Sequence, residues 1–313
     1  MRVAFDSFPD SLVGQLALLS AQQTQLQNQV ATGKRITQLE DDPAAMRRVL
    51  DWQAQNCRLA QYRQNISSLQ ERATSSYNAI AGLKKLSDRA GEIATLADGT
   101  RSPQELSAYA SEVNQLIQQG VQLMNSQDQG DYLFGGTQTA QAPFVTTSDA
   151  AGDVTAVAYE GNDAVPSAEV ASGFTLSVQA PGANTTGNGP AGVITDSRSG
   201  ADFFNHLIAL RNHLQAGDTE AIAASDRGAL AKDEDNITTQ MAANGLVQSQ
   251  LNDADAVAST QASAINQMVS QESDVDMAQT LTRLATTQTA YQAALQSGAS
   301  LLNRNLSLMD YIH

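Results

Sequence analysis

Glu40, Asp41 and Asp42 stand side by side just ahead of Pro43. Three carboxylates so close together offer the hard oxygen donors that a divalent cation takes. The same order of residues also starts a helix. Asp42 can accept from the orphan amides as N-cap, and Pro43 then occupies the first helical position, where its missing N–H costs nothing. Three acids also favour the positive end of the helix dipole. Capping accounts for the proline as well as the acids, so a helix start is the better reading.

The other candidates for chemistry are sparse. His206 and His213 lie seven apart on one helix face, whereas paired zinc ligands on a helix more often sit four apart, and a third ligand is not evident. "ESDVD" (272–276) holds three alternating carboxylates, but reads as another helix start. "DED" (233–235) reads as a solvated helix face. The chain has no phosphate loop before Lys-Ser/Thr, no GxSxG and no HExxH. Cys57 is the only cysteine, which excludes an intramolecular disulfide and a cysteine-based metal cluster. These residues give no support to catalysis, no cofactor and no metal. The remaining signal concerns association.

That signal lies in the spacing of apolar residues. Leu12, Leu16, Leu19, Gln23, Leu26 and Val30 step by four and three, the narrow seam of a coiled coil. The far end repeats it: Met277, Leu281, Leu284, Gln288, Tyr291, Leu295, Gly298, Leu302, Asn305 and Met309 step in the same way. The simplest account is that the two ends pair. A single such helix cannot bury its seam and is marginal alone, so the termini are expected to become ordered on docking. The residues expected to carry the assembly interface are Leu12, Leu16, Leu19, Leu26, Val30, Leu281, Leu284, Tyr291, Leu295, Leu302 and Met309.

Between the ends, a helix is expected to run without a breaker from Pro43 to about residue 97, its seam stepping by 3 and 4 after Leu59, long enough to imply a rod. Ser102 with Glu105 reads as a capping box, with Pro103 opening a helix that should fold back antiparallel. "YLFGGTQTAQAPF" (132–144) then ends the helical regime at Gly135-Gly136. From 137 to 196, glycines and prolines punctuate short alternating runs such as "DVTAVAYEG" (153–161) and "GFTLSVQAPG" (173–182), which read as strands. Helical pattern returns at 201–217, and a long helix is expected from Thr219 to about Gln271. The fold class is therefore mainly α with an inserted β domain. Five segments follow: 1–42, a terminal coiled-coil helix; 43–136, the first half of the rod; 137–196, a β-rich outer insert; 197–272, the second half; and 273–313, the closing coiled-coil helix, opened by Ser273.

The net charge is −15 over 313 residues. It is uneven: twelve Lys/Arg against ten Asp/Glu through Arg101, then six against twenty-three. A surface of that sign is a poor partner for nucleic acid or anionic membrane. No run of apolar residues is long enough to span a bilayer, and the start, "MRVAFDSFPDSLVG", lacks the apolar core and cleavage site of a signal peptide.

Three stretches resemble the flagellin superfamily, and within it the hook–filament junction proteins. "LQNQVATGKRITQLEDDPAA" (26–45) is similar to the superfamily's turn between terminal helix and rod. "YLFGGTQTAQAPF" is similar to the junction proteins' exit from the rod. The closing block from Asp274 to Ile312, ending "NLSLMDYI", is similar to the superfamily's tail. The resemblance implies a flagellin-like elongated helical rod whose terminal helices form a coiled coil on assembly, as an inner tube with an outer β domain. It implies an extracellular structural protein with no enzymatic activity, exported uncleaved through the flagellar type III channel. The partners it implies are further copies of itself in a ring-like layer, hook-associated protein 1, flagellin, and a cytoplasmic chaperone that holds the C-terminal region. The 137–196 insert is then expected to be dispensable for attachment. Flagellin itself is the alternative. A cytoplasmic sensor rod would lack the β insert and the matched ends, and an enzyme grafted into 137–196 would need a spaced acid–base pair that does not stand out.

Overall fold

The structure, a computed structural model, describes the backbone of residues 7–310 and the side chains of residues 11–300. In chain order it contains α1 (Ser7–Thr32), α2 (Pro43–Leu96) and α3 (Pro103–Met124). Nine short strands follow: β1 (Gln127–Asp128), β2 (Asp131–Tyr132), β3 (Phe144–Ser148), β4 (Val154–Tyr159), β5 (Ala168–Ala171), β6 (Phe174–Leu176), β7 (Ala183–Asn184), β8 (Thr195–Asp196) and β9 (Ala201–Asp202). The chain closes with α4 (Phe203–Ala216), α5 (Thr219–Ala221), a π turn (Ile222–Asp226), α6 (Arg227–Ser273) and α7 (Met277–Asp310).

Two compact units result, one formed by residues 1–58 with 261–313 and the other by residues 59–260. This division differs from the five segments read from the sequence. The difference matters most for 137–196, which packs as part of the second unit.

In the second unit, α3 runs back along α2. A Cβ built on Gly82 would meet Leu123, and Arg89 holds Glu112 through Nε at 2.6 Å. The expected capping box opens α3: Glu105 Oε2 accepts from Ser102 N at 2.8 Å, and Ser102 Oγ accepts from Glu105 N. A single apolar core joins Ile80, Leu83 and Ile93 of α2 to Val113, Ile117 and Met124 of α3, Phe203, Phe204 and Leu207 of α4, and Leu230 and Ile237 of α6. Four residues of the insert belong to that core: Phe144, Val154, Val193 and Ile194. A smaller cluster gathers Ile66, Ala73, Val170, Val178 and Leu251. Along α2 and α6, Arg63 meets Asp255 at 2.9 Å, Gln70 meets Asn252 at 2.8 Å and Lys84 meets Glu234 at 3.0 Å, an antiparallel set of rungs.

The strands are turns and hairpins rather than a continuous sheet. β3 pairs antiparallel with β4, and β5 with β6, while β8 pairs parallel with β7 and antiparallel with β9. The run 153–161 forms β4 as expected. In 173–182 only Phe174–Leu176 is strand.

The helical regime ends earlier than expected, at Met124, where Asn125 caps α3; Gly135-Gly136 instead make a tight turn further on, for a steric reason. Gly136 has φ +69, and a Cβ there would lie 2.3 Å from Asn162 O; one at Gly135 would lie 2.4 Å from Gln138 O. Gly136→Ala would take a left-handed conformation that costs an L-residue about 1–2 kcal/mol and would push a backbone carbonyl aside. A chain carrying it is expected to lose at least about 2 kcal/mol, read as a lower urea midpoint. An unchanged midpoint would show that this turn relaxes freely.

The helix expected from Thr219 is interrupted. Asp218 caps α5 by accepting from Ala221 N at 3.0 Å, and the π turn then adds one residue to the helical path before α6. Asn244-Gly245 is accommodated without a break. α6 runs on to Ser273, so Ser273 is not the cap of α7; Asp276 is, accepting from Gln279 N at 3.1 Å.

Candidate assembly surface

The first unit is built around α1 and α7, which pack against each other. At Gly298 the helices approach closely: a Cβ built on it would fall 2.7 Å from Leu12 Cδ2. Short backbone links close the pair. Lys34 and Asp274 form an isolated antiparallel bridge, Arg35 N donates to Ser273 O at 2.6 Å, and Val275 N donates to Gly33 O at 3.0 Å. Gly33, at φ +69, turns the chain out of α1. Over the described residues α1 and α7 are thus helical and joined within one chain.

The acidic cluster before α2 is consumed by capping. Asp41 Oδ2 accepts from Thr37 N at 2.9 Å and Gln38 N at 3.0 Å, and Asp42 Oδ1 accepts from Ala45 N at 3.0 Å. Those backbone hydrogen bonds hold both carboxyls below the usual aspartate value. Beside them Arg48 Nη2 meets Glu272 Oε1 at 2.7 Å, which raises the guanidinium's already high pKa, and Arg35 Nη2 donates to Glu272 O at 3.0 Å. Among the described residues, no group of three or more His, Cys, Asp or Glu is placed to hold a metal ion.

The sequence-predicted interface residues divide into three sets. Leu12, Leu16, Leu19, Leu26 and Val30 of α1, with Leu284 and Tyr291 of α7, are half-buried. Leu281 and Leu295 are not: they stay 49% and 45% exposed, with Met277 beside them at 41%. The side chains of Leu302 and Met309 lie outside the described residues. The covered row on α7 is Thr280, Leu284, Thr287, Tyr291, Ala294 and Gly298. It has the expected 4/3 step, but half of it is shifted by one position from the apolar row. Val13 and Leu18 of α1, 64% and 60% exposed, escaped the sequence reading because they fall outside the heptad seam.

Pairing therefore leaves the apolar surface of this unit unfinished. Its exposed side chains include Leu39, Leu50 and Met268 as well. Isolated surface leucines are ordinary, but a row on one helix flanking a seam that is itself half-covered has the character of an association surface. The groups here can bury apolar area against further helices, while Asp41, Asp42, Arg48 and Glu272 are engaged in turns, caps and ion pairs.

The two histidines lie elsewhere, in the second unit, each with its own acid. His206 Nδ1 is 2.8 Å from Asp233 Oδ2, and His213 Nδ1 is 2.7 Å from Asp226 Oδ2. "DED" (233–235) is therefore not a wholly solvated face, since Asp233 is 1% exposed. Cys57 is exposed.

Residues 14–139 match the bacterial flagellin N-terminal helical region. The chain is 23% identical over 322 residues to flagellar hook-associated protein 3 of Salmonella typhimurium, an alignment covering 98% of each. The fold is similar to that of a putative flagellar hook-associated protein from Vibrio parahaemolyticus, with TM-score 0.64 and 22% identity over 75% of this chain and all of that one. It is also similar to FlgL of Bacillus cereus, with TM-score 0.54 and 20% identity over 69% of this chain and 97% of that one.

Proposed function

Taking the chain as a structural protein of the flagellin superfamily and not an enzyme, we propose that it joins the hook to the filament of the bacterial flagellum. The observation that carries this reading is the unfinished surface of the terminal pair: Met277, Leu281 and Leu295 remain open after α1 has packed on α7. The similarity over nearly the whole length to a hook-associated protein 3 supports it. In this reading copies of the chain assemble into a ring-like layer, with 1–42 and 273–313 forming the inner tube. Hook-associated protein 1 lies on one side and flagellin on the other. The chain leaves the cell uncleaved by flagellar type III export, its C-terminal region held beforehand by a cytoplasmic chaperone. No helix among the described residues is long and apolar enough to cross a membrane.

Fully burying a leucine side chain stabilises by roughly 1.5–3 kcal/mol. One chain collects only part of that from its own α1–α7 pair. Neighbouring subunits supply the rest, so assembly gains what the single chain leaves exposed.

Immunogold labelling of intact flagella tests the placement. Label confined to a short zone where hook meets filament is expected. Label along the whole filament would instead mark a flagellin, the alternative with which the match of residues 14–139 to the flagellin N-terminal helical region is also consistent. Purified protein distinguishes the two again, since a flagellin forms long filaments alone.

A further inference from the structure

The two histidines of α4 form a ladder with two aspartates. His206 lies seven residues before His213, and Asp226 lies seven before Asp233. They pair in antiparallel order, His206 with Asp233 and His213 with Asp226, at 2.8 and 2.7 Å. Both carboxylates are almost fully buried, their side chains 0% and 6% exposed, whereas the imidazoles remain 26% and 33% exposed. Each rung thus puts an acid in the interior and a titratable base at the rim, where protons can reach it. One rung fastens α4 to α6 and the other to the π turn, and that turn's additional residue presents Asp226 to the helix.

We propose that this ladder is a pH-sensitive clasp, which binds α4 to the start of α6 firmly in mildly acidic medium and loosens as the medium turns alkaline. The mechanism needs only proton loss. Below its titration range the His206 imidazolium forms an ion pair with Asp233 within a hydrogen bond. Above it, imidazole still donates from Nδ1 but its charge is gone, and the buried Asp233 carboxylate loses its counter-charge. A buried charge without its partner is costly.

The surroundings agree with that direction. Asp233 holds the His206 imidazole above its ordinary value, with Asp202 adding to the effect and Lys232 opposing it. Burial pushes the Asp233 carboxyl up, while His206 and the Asp202 amide, donating to Oδ1 at 2.8 Å, pull it back. Folded, the His206–Asp233 pair keeps its proton to higher pH than the separated groups do. Stability from this rung is therefore fully present below the unfolded imidazole value of about 6.5 and is lost as pH rises through the folded one. The remaining charged groups nearby have other partners. Glu234 takes Lys84 of α2, Arg227 donates to Ala94 O at 3.0 Å, Glu112 of α3 holds Arg89, and Arg211 donates to Val154 O of β4.

Hydrogen exchange on the full chain at pH 5.5 and 8.5, corrected for intrinsic rates, tests the clasp. Peptides covering 203–216 and 222–240 are expected to lose protection several-fold at the higher pH, as the His206–Asp233 rung loses its charge. Peptides of α1 and α7 are expected to change little. In a chain carrying His206→Asn and His213→Asn, which keeps a donor near Nδ1 but cannot charge, the difference should vanish. Equal protection at both pH values in the native chain would overturn the proposal, as would a pH response that survives in the double variant. Should that variant fail to fold, Asp233→Asn carries the same test from the other side of the rung, with the response expected to shrink and the proposal overturned if it does not.

Discussion

A chain carrying aspartate at both Leu281 and Leu295 is expected to fold and pair its terminal helices normally, yet to be excluded from the assembled flagellum. Both side chains are about half exposed, and neither stands in the row that α1 covers. Surface substitutions of this kind usually change stability by no more than about 0.5 kcal/mol. In the assembly, the same positions would place two carboxylates per subunit against an apolar neighbour, and burying a polar group without a partner costs about 1–3 kcal/mol even by protein mutational measures, more for a charge. Repeated around a ring of copies, that penalty removes the gain from closing the seam. Two measurements together decide. Circular dichroism melting of the purified variant should match the native chain, and a strain producing it should shed its filaments and lose motility. Normal swimming with normal filaments would mean that the row lies free in the assembly and that the interface uses another face. The converse substitution, Leu284→Asp, should instead act on the single chain, because Leu284 lies in the covered row.

The difference between those two leucines shows what the sequence could and could not disclose. The 3/4 step was legible at both ends because a narrow apolar seam has few other uses. Its phase on α7 was not, because the closest positions are small: Thr280, Thr287, Ala294 and Gly298 let the helices approach, and large apolar residues do not mark them. Apolarity alone therefore selects a mixture of the covered row and its exposed neighbour. Helix starts were read well at Asp42-Pro43 and Ser102-Pro103, where capping chemistry is local. It failed at Ser273, which a continuing helix overran, leaving the cap to Asp276. The π turn and the His–Asp ladder depend on the packing of α4 against α6. Their pattern in sequence, two histidines and two acids at matching intervals, acquires meaning only once those helices are antiparallel neighbours. The insert misled differently. Its glycines and prolines revealed turns, but not that four apolar residues among them complete a helical core.

Deleting 137–196 is expected to unfold the second unit, contrary to the dispensability inferred from its turn-rich sequence. Phe144, Val154, Val193 and Ile194 are 4%, 1%, 1% and 1% exposed, and all pack into the core shared by α2, α3, α4 and α6. Phe144 meets Phe204 edge-on at 5.5 Å between ring centroids, and its backbone exchanges hydrogen bonds with Asn125, whose Nδ2 donates to Phe144 O at 2.8 Å and whose Oδ1 accepts from Phe144 N at 3.0 Å. Removing four such side chains forfeits roughly 6–12 kcal/mol of burial. Deletion also takes away the Val154 carbonyl to which Arg211, 3% exposed, donates, leaving that buried guanidinium with Asn114 and Asn212 alone as partners. A domain's whole stability is about 5–15 kcal/mol, so little or nothing should remain. The deletion chain should lose its cooperative thermal transition and its near-ultraviolet signal from Tyr109 and the core phenylalanines. Shortening only the exposed β3–β4 turn at 149–152 should leave both intact, because that turn is held mainly by Asp149 accepting from Ala151 and Asp153 amides, its one bond to α3 is from Asn114 Nδ2 to Gly152 O at 3.3 Å, and it buries no apolar side chain. A deletion chain that still melts cooperatively at the native temperature would show that the helices close their core without the insert, and the segment could then be treated as an appendage. If the melt is lost but the short-turn variant still attaches filaments, the insert acts on attachment by holding the second unit folded, and export or junction assays on the full deletion would report misfolding and not a missing contact.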